Sequence, residues 1–315
     1  MSRYWLSRLL ETIPLLLGVS LLAFTLFRLA PGDPVALVVD PTLISEADRE
    51  AIRDSLGVND SYPVQYVKMM RGLVDGDLRS FKSKQPTIEI VLDAFRITAL
   101  TGVLGLFFSF LFALVLGTLA GMRPRGWADR FVSSSMIVTL AAPPFLVGIL
   151  LVRLFTEEWD LLPGSGIAPA GTVGFHPHWQ YLVMPVFVIA IGPAAILARY
   201  LRDALVTVLD DDYIRTARAK GLAELAVVSR HAIRNALIPV VSLLNTFIPT
   251  ILGGSVIVES VFGLPGLGRV TTTAALSRDY PVVLTCVIFV AVVTLTVNLL
   301  IDLLYGVIDP RTRVS

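Results

Sequence analysis

The chain has one cysteine, Cys286, so no disulfide can form within it, and its place in an apolar run leaves redox compartment unreadable. Charge is scarce. Asp, Glu, Lys and Arg make up 16% of the 315 residues, too little for an ordinary soluble domain, and the net charge of +1 points to no acidic partner and no nucleic acid. Of three histidines, His176 and His178 form an H-P-H with no third ligand nearby, so no metal site is read. No G-x-x-x-x-G-K-[ST] occurs, and no strand or βαβ pattern surrounds the glycine-rich stretch from Glu259 to Arg269, which removes nucleotide binding by this chain. The apolar runs hold no paired aspartates and no Ser/His pair, so an intramembrane protease or lipid-modifying hydrolase would lack its chemistry. The pattern shows no doubled inverted repeat that would favour a self-contained secondary transporter. No catalytic residue is assigned.

What is present is apolar sequence: 55% hydrophobic residues and a mean hydropathy of +0.74. Six uncharged runs stand out, Thr12–Phe27, Ile97–Met122, Phe131–Val152, Trp179–Ala198, Ala236–Val258 and Pro281–Ile301, most of them near the ~20 residues needed to cross the hydrocarbon core. The expected fold class is therefore an all-α polytopic membrane protein with six transmembrane helices. The first run reads as a signal anchor, because Leu29-Ala30-Pro31 offers no small-x-small cleavage site, and Arg28 can snorkel from its outer end. Ala30–Pro34 (APGDP) then breaks the helix. Gly105, Ser109, Gly117, Gly148, Gly253, Gly254 and Ser255 permit close helix packing, while Pro143-Pro144, Pro185, Pro193 and Pro249 are expected to kink or interrupt their helices. Asn245 lies mid-helix, as an interhelical hydrogen bond or a pathway residue; Asp302 is close enough to the end of the last run for a structural role.

Residues 31–95 form a polar insertion, read as a small subdomain. Ser45 caps a helix with Asp48 in its first turn and Gly57 just past its end, and Pro63 suits the first turn of a second helix. Basic residues set the orientation. Arg3 and Arg8, then Arg123, Arg125 and Arg130, then Arg199, Arg202, Arg215, Arg218, Lys220, Arg230 and Arg234, and finally Arg311 and Arg313 fall on one side, against Arg269 and Arg278 on the other. Both termini and the loop before the fifth run are then cytoplasmic.

That loop is the longest polar segment on the cytoplasmic side between two spanning runs, Asp210–Pro239, DDDYIRTARAKGLAELAVVSRHAIRNALIP. Three aspartates where a helix would begin, Arg218 and Lys220 in its last turn, and Gly221 where a left-handed cap is wanted all point to a short helix. A second helix is expected from Leu222, with Arg230, His231 and Arg234 on its polar side, ending at Pro239. Ala217 and Ala219 are small enough to let a partner surface approach the first helix.

The segment resembles the cytoplasmic coupling loop of ABC importer permeases. Of the general E-A-A-x-x-x-G signature only Ala217 and Gly221 match, with Arg215 and Thr216 at the leading positions. YIRTARAKG followed by RHAIRNALIP is instead similar to the peptide and nickel importer branch. RLAPGDP at 28–34, the order Gly57, Pro63, Gln65-Tyr66, Gly76-Asp77-Leu78, Ser80 and the stretch VFGLPGLGR at 261–269 resemble the same branch, although Arg79 stands where that pattern carries glycine. The resemblance spans Arg3 to Arg313.

The resemblance implies a type I ABC importer permease fold: residues 1–30 as tail and first helix, 31–95 as an extracytoplasmic subdomain between helices 1 and 2, and 96–315 as the permease core with a coupling loop at 199–237. It implies ATPase-coupling roles for Tyr213, Arg215, Ala217, Arg218, Ala219 and Gly221, and an outer gate or re-entrant turn at Phe262, Gly263, Pro265, Gly266 and Gly268. It implies partners: a second homologous permease subunit, two cytoplasmic ABC ATPase subunits that hold ATP and magnesium, an extracytoplasmic substrate-binding protein, and membrane lipid. No cofactor is expected on this chain. The implied cargo is a di- or oligopeptide, with nickel, glutathione or an oligosaccharide as alternatives for the same architecture.

Overall fold

The structure, a computed structural model, describes residues 2–29, 45–55, 57, 59–172, 174–254 and 256–308. Among the described residues the chain is helical, with one isolated antiparallel bridge between Arg79 and Pro86 as its only β pairing. The Ala30–Pro34 break, Ser255, Arg311 and Arg313 lie outside the described residues, as do the side chains of Arg3, Arg8, Arg28, Asn245 and Asp302. The helices are α1 (Ser2–Leu29), α2 (Glu46–Ser55), α3 (Tyr62–Asp75), α4 (Thr87–Met122), α5 (Trp127–Ala141), α6 (Pro144–Val152), α7 (Trp179–Leu209), α8 (Asp212–Ala219), α9 (Glu224–Val227), α10 (Ile233–Gly254), α11 (Val256–Val261), α12 (Leu267–Leu276) and α13 (Tyr280–Ile308). π-helical turns follow α6 at Arg153–Glu158 and α9 at Val228–Ala232.

Three described helices are long and apolar enough to cross a membrane, within Thr87–Met122, Trp179–Leu209 and Tyr280–Leu299. The run expected as one span over Phe131–Val152 is instead two helices. α5 and α6 meet at Pro143-Pro144 with a bend of 100°, a broken span or a re-entrant loop, because neither proline can donate a backbone hydrogen bond back to α5. The apolar part of α1, Thr12–Leu26, is shorter than the others. Pro185 and Pro193 do not interrupt α7, which runs eleven residues past Ala198 to Leu209.

The chain divides into two compact units, residues 1–97 with 265–315, and residues 98–264. The division differs from the boundaries drawn at 30 and 95, for it joins the insertion to the C-terminal helices. In the first unit, Ser20 Oγ of α1 lies 2.8 Å from Tyr66 OH of α3, and the Phe24 and Tyr66 rings meet edge to face at 5.6 Å. Ser45 caps α2 as expected, accepting from Asp48 N at 3.1 Å, and Gly57 and Gly76 both take left-handed φ. At the position lacking the anticipated glycine, Arg79 keeps negative φ. The turn's strain falls on Lys84 (φ 61°), whose carbonyl accepts from Arg79 Nη1 at 3.1 Å. The buried Asp279 carboxylate, ahead of α13, accepts from Ser80 Oγ at 2.5 Å and Phe81 N at 2.9 Å, and anchors that turn.

In the second unit, α4 and α7 pack at backbone distance. A Cβ at Gly117 would stand 2.7 Å from the Ala198 carbonyl oxygen, and one at Gly105 would stand 2.5 Å from Ile189 Cγ2. Ser109 Oγ donates between them, to Gly105 O at 2.6 Å and Ala190 O at 2.9 Å. The small residues therefore serve helix packing, as their type suggests. A charged cluster ties the start of α5 to α7: Arg202 binds both Asp129 carboxylate oxygens, at 2.8 and 2.9 Å, while Arg199 donates to Ser133 Oγ at 2.6 Å. Asp129 also accepts from Arg125 N at 2.7 Å, which holds the left-handed Arg125 at the turn between α4 and α5.

Candidate functional site

The segment after α7 folds as two short helices around a glycine. Asp211, in extended conformation, caps α8, and its carbonyl accepts from Ile214 N at 3.1 Å and Arg215 N at 3.2 Å. Gly221 has φ +78°, a conformation a side chain resists, so the chain can leave α8 in one step and re-enter a helix at Glu224. The second helix differs from expectation. It is one turn of α-helix, then a π-helical turn through Arg230 and His231, and then α10, which runs through Pro239 without stopping. Pro239 costs one backbone bond, and that cost is tolerated inside a helix of 22 residues that buries Ala236 and Val240 on either side of it.

α8 has two faces. Ile214 and Ala217 are buried in one cluster with Leu205 of α7, Val227 and Val228 after α8, and Ala232 and Ala236 leading into α10. Ala217 is 6% exposed, and its small size admits a surface of this same chain. Tyr213 OH accepts from Asn235 Nδ2 at 2.8 Å and so pins α8 to the start of α10. Arg218 bridges to Glu224 through Nε at 3.1 Å and Nη2 at 2.7 Å, and to Leu209 O through Nη1 at 3.3 Å, clamping the glycine turn. Those hydrogen bonds, with the guanidinium charge, hold the Glu224 carboxyl below the usual carboxylate range and raise Arg218 above its ordinary value.

The other face is open. Arg215, Ala219, Lys220 and Gly221 are exposed, with Arg215 paired to Asp212 at 3.3 Å. Leu222 and Leu225 join them at 40% and 72% exposure. Sequence reading missed these two leucines, whose signal was an apolar pair at i, i+3 beside a glycine in an otherwise polar loop. Both are large apolar side chains left exposed within this chain beside the Gly221 turn.

The predicted gate residues fall in different units. In the second, Phe262 and Leu264 are buried, and Gly263 has φ +60°. Phe262 O accepts from Gly166 N at 2.9 Å, and Leu264 N donates to Glu259 O at 2.8 Å. In the first, Pro265 is exposed, and Gly266 caps α12, where Gly268 lies in the first turn. Sequence reading also missed the fully buried Glu259, which accepts from Thr98 Oγ1 at 2.7 Å. No group of three metal-ligating side chains exists among the described residues.

Beside the Pro143-Pro144 bend, the second unit holds a cavity of about 250 Å³ lined by α5, α6, α7, α10 and α11, including Thr139, Val147, Gly192, Pro193 and Phe247. Among the described residues no charged side chain lines it, so these offer nothing to grip a charged terminus.

Residues 113–314 match the family described as binding-protein-dependent transport system inner membrane component, and residues 1–101 match that family's N-terminal region. The chain is 36% identical over 314 residues to the oligopeptide transport system permease protein AppB of Bacillus subtilis, covering 99% of both chains. It is 35% identical over 317 residues to the glutathione transport system permease protein GsiC of Salmonella typhimurium, again covering 99% of each. Among solved structures it resembles the inward-facing MetNI methionine ABC transporter, at TM-score 0.55 and 17% identity, with 71% of this chain and 99% of that one covered. An amino acid ABC transporter matches at TM-score 0.50 and 18% identity, with 71% and 94% covered. The fold, the membrane-embedded helices and full-length similarity agree: this chain belongs to the family of inner-membrane components of binding-protein-dependent transport systems, as an ABC permease of the dipeptide and oligopeptide type.

Proposed function

We propose that this chain forms half of the translocation pathway of an ATP-driven importer of di- or oligopeptides. The observation that carries the cargo is its 36% identity, end to end, to an oligopeptide permease. In this reading it crosses the membrane six times with both termini in the cytoplasm. Arg153, at the end of α6, adds one cation to the outward side beyond Arg269 and Arg278; it is offset by Glu158 at 3.3 Å and leaves the inward excess intact. Residues 31–95 face outward, towards a substrate-binding protein.

The chain pairs with a second, related permease in the lipid bilayer. Of two cytoplasmic ATPase subunits, one docks on α8 and the Gly221 turn through Ala219, Leu222 and Leu225, with Tyr213, Arg215 and Arg218 shaping and charging that surface, and the other docks on the second permease. ATP and magnesium stay in those subunits, and this chain binds no cofactor. Closure of the ATPases moves α8, which is fixed to α7 and α10 through Ile214, Ala217 and Tyr213, so that movement is passed into the spans. Phe262–Gly268 closes the outer end. The apolar cavity beside Pro193 gives passage without tight binding, which leaves selectivity to the binding protein.

Import of glutathione is a second reading, favoured by the 35% identity to a glutathione permease. Mass spectrometry of the ligand that co-purifies with the binding protein separates the two. A mixture of short peptides supports the proposal, and glutathione alone supports the second reading.

A further inference from the structure

Within residues 98–264, three contacts from outside the outer turn converge on it. Thr98 Oγ1 donates to Glu259 Oε1 at 2.7 Å, and neither side chain has contact with solvent. The Glu259 carbonyl in turn accepts from Leu264 N at 2.8 Å, so one residue holds α4 with its side chain and the turn with its backbone. Gly166 N, from the segment between α6 and α7, donates to Phe262 O at 2.9 Å. Gly148 of α6 seats the Phe262 ring, since a Cβ there would stand 3.3 Å from Phe262 Cε2 and 3.2 Å from Val261 Cγ1. Nothing in the turn's own sequence requires a glutamate at 259. Helix α11 is six residues long, and an apolar residue would suit its buried face better, because a buried carboxyl costs free energy unless it is hydrogen-bonded.

We propose that Glu259 is a positioning residue for the outer turn: through Thr98 it locks the turn to α4, with Phe262 seated on Gly148, in the closed arrangement. The proposal rests on the reading of Phe262–Gly268 as the outer gate. A lock of this kind fits a gate that must open only on a signal, because a buried bond joins two segments 161 residues apart in sequence. Thr98 Oγ1 has to lose its acceptor, or the carboxyl its donor, before α11 can leave α4.

The test uses the assembled complex of this chain with its partner permease and ATPases, in a Cys286→Ser background with Leu264→Cys as reporter. Leu264 is fully buried, so its thiol reacts with a membrane-impermeant maleimide only when the turn moves. Glu259→Ala and Thr98→Val should each raise the labelling rate about tenfold in the absence of binding protein, the effect of losing one buried hydrogen bond of about 1.4 kcal/mol. Glu259→Gln, whose carbonyl oxygen still accepts from Thr98, should stay within about twofold of the parent. Gly148→Val, which unseats the ring without touching the carboxyl, should raise labelling independently. Every variant is compared as intact complex by size-exclusion elution. Unchanged labelling in Glu259→Ala and Thr98→Val overturns the proposal. Raised labelling with unchanged import and binding-protein-stimulated ATP hydrolysis upholds the lock and overturns the reading of the turn as a gate.

Discussion

Ala217 and Ala219 sit two residues apart on α8 and separate folding from docking. Ala217→Glu puts a carboxylate into the cluster of Leu205, Ile214, Val227 and Ala232. Keeping it there at pH 7 requires raising its pKa by about 3 units, which costs about 4 kcal/mol. Against this, the buried Ile214 side chain contributes about 1.5 to 3 kcal/mol and the Ala217 methyl about 0.8. The Arg218–Glu224 bridge, with side chains 40% and 51% exposed, adds less than about 1 kcal/mol. The exposed Tyr213–Asn235 hydrogen bond adds about 1 kcal/mol more, so the cost is comparable to the attachment of α8 and the helix loosens. Ala219 is exposed, so Ala219→Glu should change this chain's stability by no more than about 0.5 kcal/mol. In the complex the same charge would be desolvated against the ATPase, at about 3 kcal/mol, weakening docking roughly a hundredfold. Two assays read this out: amide exchange of α8 in the purified permease pair, and substrate-stimulated ATP hydrolysis of the complex. Ala217→Glu should lose both α8 protection and stimulation, and Ala219→Glu only stimulation. Normal stimulation in Ala219→Glu would remove this face from the coupling mechanism.

Other consequences can be checked separately. With Cys286 replaced by serine, cysteines at 125 and 218 should resist an impermeant thiol reagent in intact cells, and one at 176 should react; labelling at 218 would invert the topology. Gly117→Val should lower the thermal midpoint of the permease by several degrees, since even its Cβ would stand 2.7 Å from a backbone carbonyl of α7, at an overpacking cost of about 1 to 3 kcal/mol. Because Arg218 depresses the Glu224 carboxyl, the bridge stabilises the glycine turn above the ordinary glutamate pKa of about 4.3 and is lost as pH falls through the lower folded value. Exchange protection across 218–224 should therefore fall on acidification below about pH 4 in the parent and stay flat in Glu224→Gln. With both side chains this exposed, the fall should be under about fivefold.

The helices were legible because lipid demands uncharged runs, and every expected span is helical wherever it is described except at Ala142 and Pro143, where the third run breaks. Their ends were less so. α4 begins at Thr87, ten residues before its uncharged run, where Pro86 precedes it and Glu89 lies in its first turn, a start signal hidden by Asp93 and Arg96. The Pro143-Pro144 pair was legible as an interruption, yet the 100° bend depends on what packs around it. For the candidate site, the glycine cap and the two helices around it could be read from local chemistry. The inward turn of Ala217 could have been, since Ile214 and Ala217 are the apolar i, i+3 pair of an otherwise polar helix. The bonds of Glu259 to Thr98 and of Asp279 to Ser80 could not, because they join residues 161 and 199 apart, and no local periodicity records such a pairing.

The most direct test of the central claim is peptide uptake into proteoliposomes holding this chain with its partner permease and ATPases. Internal radiolabelled peptide should accumulate only when the extracytoplasmic binding protein is supplied on one face and ATP with magnesium on the other, and not under a proton or sodium gradient alone. Accumulation by this chain without ATPase subunits, driven by an ion gradient, would contradict the account.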